Sequence, residues 1–136
     1  MSKIAIVGGQ VLDPESETLL AGGVFLADGR IVAVGEEPLG FQADEVLDAQ
    51  GAIVSPGFID LSVYLREPGY EHKATIASET LAAVKAGVTT LCCSPETNPV
   101  IDTPAAVEFI RERALSSGKA KVIAIGAISR GLEGMA

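Results

Sequence analysis

The sequence predicts an α/β protein in two parts, a β-sandwich-like module over residues 1–54 and a run of strand–helix units over residues 55–136. Three observations lead there. Short apolar segments broken by turn residues fill the first part, helical and strand patterns alternate in the second, and the last strand pattern is almost uniformly apolar. Alternation of that kind builds a mostly parallel sheet, whose strands are covered on both faces. It leaves two architectures open, a doubly wound sheet or a (β/α)8 barrel.

In the first part, strands are expected at Lys3–Val7, Thr18–Ala21, Val24–Ala27, Ile31–Val34 and Glu45–Ala49. Asp28-Gly29 lies between two apolar runs, and a two-residue hairpin turn of this type needs positive φ at both positions. The pairs Gly8-Gly9 and Gly22-Gly23 lack the strand-to-helix setting of a nucleotide-binding loop and read as β turns. From Pro56 the pattern changes. Phe58–Leu65 reads as a strand, Lys73–Ala86 as a helix closed by Gly87, and Val88–Cys93 as a second strand. Thr103 offers an N-cap hydroxyl with Pro104 at the first helical position, and this second helix stops at Gly118. Lys121–Ile128 is the third strand.

Composition narrows the function classes. With 48% hydrophobic residues and 15 glycines in 136, the chain has the makeup of a globular protein rather than a disordered one. The net charge is −8 and no Lys/Arg cluster is present to track a phosphate backbone, so nucleic acid is not an expected partner. The apolar run after Met1 meets Gly8-Gly9 too soon for a signal peptide or a membrane span, which gives an expected cytoplasmic location and no membrane partner. Cys92 and Cys93 are adjacent, with no Cys-x-x-Cys spacing, and read as reduced, buried small hydrophobes.

Ser55-Pro56-Gly57-Phe58-Ile59-Asp60-Leu61-Ser62-Val63-Tyr64-Leu65-Arg66-Glu67-Pro68-Gly69 resembles the first barrel strand of the dihydroorotases of the amidohydrolase superfamily. Their pattern there is Pro-Gly-Phe-Ile-Asp-x-His-x-His-x-Arg-Glu/Asp-Pro-Gly. Ser94-Pro95-Glu96-Thr97-Asn98-Pro99, with Asp102-Thr103-Pro104 downstream, is similar to the family's Met-Pro-Asn-Thr-x-Pro and Asp-Thr-Pro. The resemblance implies the first βα units of an amidohydrolase-type TIM barrel after a β-sandwich-like module. A barrel takes about 250 residues, and at about 30 residues per strand–helix–strand unit the part after Val54 supplies no more than three strands. The barrel is therefore expected to be incomplete in this chain, which reads as the N-terminal portion of a longer one. Expressed alone, it is expected to be insoluble or molten because of an uncovered apolar strand edge, and a sharp cooperative melt would count against this.

The departures from the family pattern carry the functional reading. Ser62 and Tyr64 stand where the resemblance implies two metal-binding histidines, and their spacing of two puts both on one strand face. A catalytic zinc takes imidazole, thiolate or carboxylate ligands and keeps an open position for water. A neutral hydroxyl is a poor donor, and a phenol must first lose a proton whose ordinary pKa is about 10. Without the ion, the attacking water keeps its pKa near 15.7 rather than about 7. No catalytic or metal-binding residue is therefore assigned, and no cofactor is expected.

Arg66 matches the arginine that the family uses on the substrate's carboxylate, and is read as a vestigial binding residue or as a salt-bridge partner of Glu67 or Glu96. Glu96 replaces the asparagine implied to help it. A carboxylate about 4 Å from a substrate carboxylate costs roughly 4 kcal/mol at an effective dielectric of 20, about three decades of affinity. Tyr64 is expected to fill the volume of the lost imidazole, and Asp60 to cap backbone groups at the strand end. His72, the single histidine, reads as a surface or capping group.

The resemblance implies a non-catalytic homologue that supports assembly of aspartate transcarbamoylase in pyrimidine biosynthesis, bound to its catalytic chains in a hetero-oligomer. An alternative is an active zinc-dependent dihydroorotase, a cyclic amide hydrolase drawing metal ligands from outside this segment. Another is a dihydropyrimidinase-like scaffold protein, disfavoured by Leu65-Arg66-Glu67-Pro68-Gly69.

Overall fold

The computed structural model describes residues 2–134. The chain forms two compact units, Met1–Pro56 and Gly57–Ala136.

In the first unit, β1 (Lys3–Asp13), β2 (Thr18–Ala27) and β3 (Arg30–Gly35) form an antiparallel meander, while β4 (Glu45–Asp48) and β5 (Ile53–Val54) both run parallel to β1. All five lie in one sheet, ordered β3-β2-β1-β4 with β5 beside the second half of β1. Asp28 and Gly29 have φ of 52° and 74°, the two positive values the Asp-Gly hairpin requires. Ala5, Val11, Val24 and Phe25 are buried, and Phe25 meets Phe41 edge to face at 5.4 Å.

The glycine pairs are not turns. Gly8-Gly9 lies inside β1 and Gly22-Gly23 inside β2, so each of these strands is longer than expected. Between the Ile6–Val24 and Gly9–Gly22 partners, β1 carries one more residue than β2, a β-bulge. The physical reason is close approach. A Cβ at Gly22, whose φ is 142°, would collide with the Gly35 backbone. Glycine here marks backbone contact across the sheet rather than a reversal.

In the second unit, β6 (Phe58–Val63), β7 (Val88–Cys93) and β8 (Lys121–Ala124) form a parallel sheet in that order. Helix α1 (Ile76–Lys85) links β6 to β7, and α2 (Pro104–Ser117) links β7 to β8. The core combines Leu65, Ile76, Leu91, Cys93, Ile101 and Ile110, packed by Val63, Val107 and Val122. The start of α1 is later than expected because Thr75 is its N-cap. The Thr75 hydroxyl accepts from the Ser78 amide at 3.2 Å, and Ser78 Oγ accepts from the Thr75 amide at 2.9 Å, a reciprocal capping box. Gly87, with φ of 85°, follows where the helix ends. At α2, Thr103 Oγ1 accepts from Ala106 N, with Pro104 next in line.

The third strand is shorter than its apolar run. After Ala124 only Ile125 N, donating to Cys93 O at 3.0 Å, continues the ladder, and by Ala127 the chain bonds Ile101 instead. No helix among the described residues is long and apolar enough to cross a membrane.

Candidate functional site

The C-terminal end of β6 delivers the residues singled out by sequence. Val63 packs against the core and Leu65 is fully buried within it. Alternation therefore places Ser62 and Tyr64 together on the opposite face. Between the Asp60–Leu91 and Val63–Cys93 partners, β6 carries one extra residue, so a bulge falls at Leu61-Ser62. Asp60 Oδ1 takes the Ser62 amide at 3.0 Å, which is the backbone-capping role expected of it. A short polar side chain thus satisfies a donor that the disrupted ladder leaves over.

Tyr64 stacks against Arg66. It is 43% exposed, and its ring carries the guanidinium of Arg66, with Cζ 4.9 Å from the centroid. A cation over a phenol ring at this exposure contributes about 0.5–1 kcal/mol. Arg66 has a φ of 64°, a left-handed conformation rare for a residue with a Cβ.

Arg66 pairs with neither Glu67 nor Glu96 among the described residues. The Glu67 carboxylate is buried and engaged elsewhere: Oε2 accepts from the Ile76 amide at 2.8 Å, and Oε1 accepts from Arg113 Nε at 2.5 Å. Sequence reasoning missed this use of Glu67. No local pattern points to Arg113, which lies 46 residues away.

The loop after β6 and the loop after β7 are brought together. Asn98 N donates to Pro68 O at 3.1 Å, and Ser94 N donates to Val63 O at 2.9 Å. A Cβ at Gly69, where φ is 95°, would run into the Asn98 carbonyl. Thr97 is buried, its hydroxyl donating to Pro99 O at 2.7 Å. Glu96 itself stays exposed on this loop. At the far end of the first loop, the Gly69 amide donates to Glu71 Oε1, and this bond holds the Glu71 carboxyl below its usual range. Because that value is depressed, the contact is retained above the ordinary carboxylate pKa and is lost only as acidification passes the lowered one.

His72 is exposed and meets Tyr70 edge-on at 6.5 Å between centroids, apart from the Ser62–Tyr64 pair in sequence and element. Among the described residues no three His, Cys, Asp or Glu side chains converge as metal ligands. The donor chemistry at the two family positions does not fit zinc. One is a hydroxyl, and the other is a phenol with a fixed positive charge 4.9 Å above its ring.

The family model described as dihydro-orotase-like matches residues 51–134. The chain belongs to the dihydroorotase-like family. Within this family, a "dihydroorotase-like protein" of Pseudomonas aeruginosa is 50% identical over 131 residues, covering 96% of this chain and 31% of that protein. A protein of Solibacter usitatus named "dihydroorotase" is 47% identical over 131 residues, covering 96% of this chain and 30% of its own length. The chain thus spans about a third of the length of these relatives. Among solved structures, the L-hydantoinase (dihydropyrimidinase) of Arthrobacter aurescens superposes with a TM-score of 0.83 at 20% identity, over 93% of this chain and 28% of that one. The likeness is one of fold, and the parallel β6-β7-β8 sheet with its two helices is part of an amidohydrolase TIM barrel.

Proposed function

We propose that the full-length protein is a non-catalytic member of the dihydroorotase-like family, a cytoplasmic structural and assembly partner of aspartate transcarbamoylase in pyrimidine biosynthesis. One observation carries this reading: a serine hydroxyl and an arginine-capped phenol stand at the two strand positions where the family places imidazoles. Selection for a docking surface keeps core, caps and turns while site chemistry drifts. The intact capping box of α1, the hairpin turn and the interlaced loops beside an altered ligand pair support that history. The name of the Pseudomonas aeruginosa relative, dihydroorotase-like rather than dihydroorotase, agrees with it.

The test uses the full-length protein. Co-elution with aspartate transcarbamoylase catalytic chains is expected, together with no turnover of dihydroorotate or carbamoyl aspartate. Failure to associate removes the partner assignment. A second reading, a working zinc-dependent cyclic amide hydrolase, draws on the 47% identity to a protein named dihydroorotase. Stoichiometric zinc with turnover abolished by a chelator would establish that reading and overturn the first.

A further inference from the structure

We propose that Glu67 and Arg113 are positioning residues, a part-buried brace that holds Arg66 over Tyr64 at the end of β6. The inference deepens the reading above in that it rests on Arg66 being the site's vestigial carboxylate-binding position.

The backbone at Arg66 is held in the left-handed region at φ 64°. Such a conformation persists where the surroundings over-determine it. Four restraints on the five residues from Arg66 to Tyr70 do so here. Arg66 O accepts from Tyr70 N at 2.9 Å, and Pro68 O accepts from Asn98 N at 3.1 Å. Gly69 is pressed against the Asn98 backbone so closely that a Cβ has no room.

The fourth restraint, and the one anchored in the core, is the Glu67 carboxylate. It is 3% exposed, and each oxygen has a separate partner from a different helix: Ile76 N at the start of α1 and Arg113 Nε on α2. A charged acceptor at the first turn of α1 suits the helix dipole, and the guanidinium supplies the charge-assisted bond a buried carboxylate needs. The Glu67 side chain is thereby tied to both helices, and the residue before it carries its guanidinium over the Tyr64 ring.

A brace that merely stabilised the fold would affect melting and leave Arg66 alone. A positioning role makes a separate demand, that Arg66 become mobile when the brace is cut. The reactivity of Arg66 toward phenylglyoxal, read on its own peptide by mass spectrometry in the full-length protein, reports this directly. Glu67→Gln and Arg113→Met are each expected to raise the modification rate of Arg66 by about fivefold or more, the loss of roughly 1 kcal/mol of restraint. Arg113→Lys keeps a cation in reach of the carboxylate and is expected to restore the rate to within about twofold of the parent.

Arg113 has a half-exposed side chain (51%), so Arg113→Met is expected to fold even where Glu67→Gln does not. A folded Arg113→Met protein that melts lower while its Arg66 reacts at the parental rate overturns the proposal. The assay needs neither zinc, turnover nor transcarbamoylase. Discovery of hydrolase activity would overturn the proposed function and leave this result standing.

Discussion

Arg66 holds a left-handed backbone conformation at φ 64°, which costs an L-residue roughly 1–2 kcal/mol. That cost lies at the residue whose guanidinium caps Tyr64. The two contributions separate by substitution. Arg66→Ala keeps the unfavourable conformation and loses the stack, whereas Arg66→Gly loses the stack and relieves the conformation. Glycine is expected to be the more stable replacement by about 1 kcal/mol, read as a higher denaturation midpoint than alanine. An alanine variant equal to or above the glycine variant would show that the backbone there is relaxed. Of the site residues, the identities at 62, 64 and 96 and their departure from the family pattern were legible in the sequence. The stacking of Arg66 was not, because the adjacent Glu67 offers a nearer partner by sequence alone.

At the scale of elements, local signals performed well wherever the deciding contact lies within a few residues. The Asp28-Gly29 turn, the Thr103 cap, Gly87 and the limits of β7 all follow from neighbouring side chains and backbone conformation. The cap of α2 is directly testable: Thr103→Ala removes the acceptor for Ala106 N and is expected to cost about 1 kcal/mol in a denaturant midpoint. An unchanged midpoint would mean that solvent or Pro104 already satisfies that end.

Strand β7 makes a second prediction. Cys93 is buried in the core, and burial pushes its thiol above the usual value, while Cys92 is half-buried on the other face. A raised thiol pKa leaves less thiolate at neutral pH. Iodoacetamide is therefore expected to label Cys92 first, with Cys93 reacting only after unfolding or at distinctly higher pH. Preferential labelling of Cys93 at neutral pH would contradict the packing of this strand. The glycine pairs were misjudged at this scale because glycine marks both turns and close backbone approach, and its own sequence neighbours do not distinguish them.

At the scale of the molecule, the metal question turns on whether two substitutions can be undone. Ser62→His with Tyr64→His in the full-length protein returns imidazoles to the strand face but leaves Glu96 on the adjoining loop. The kcat/KM for dihydroorotate is expected to stay about three decades low, and adding Glu96→Asn is expected to recover most of that loss. Robust activity from the double variant alone would show that Glu96 does not oppose the substrate.

The order of elements, the parallel character of the second sheet, the Thr103 cap and the altered chemistry at Ser62 and Tyr64 were determined by the sequence alone, since each depends on periodicity or on groups a few residues apart. Tertiary structure decided that β1 takes two parallel partners, that its glycines serve a bulge, and that Glu67 binds Arg113 rather than Arg66. Those outcomes join residues tens of positions apart, where shape and the need to satisfy a buried charge choose the partner and proximity along the chain has no say.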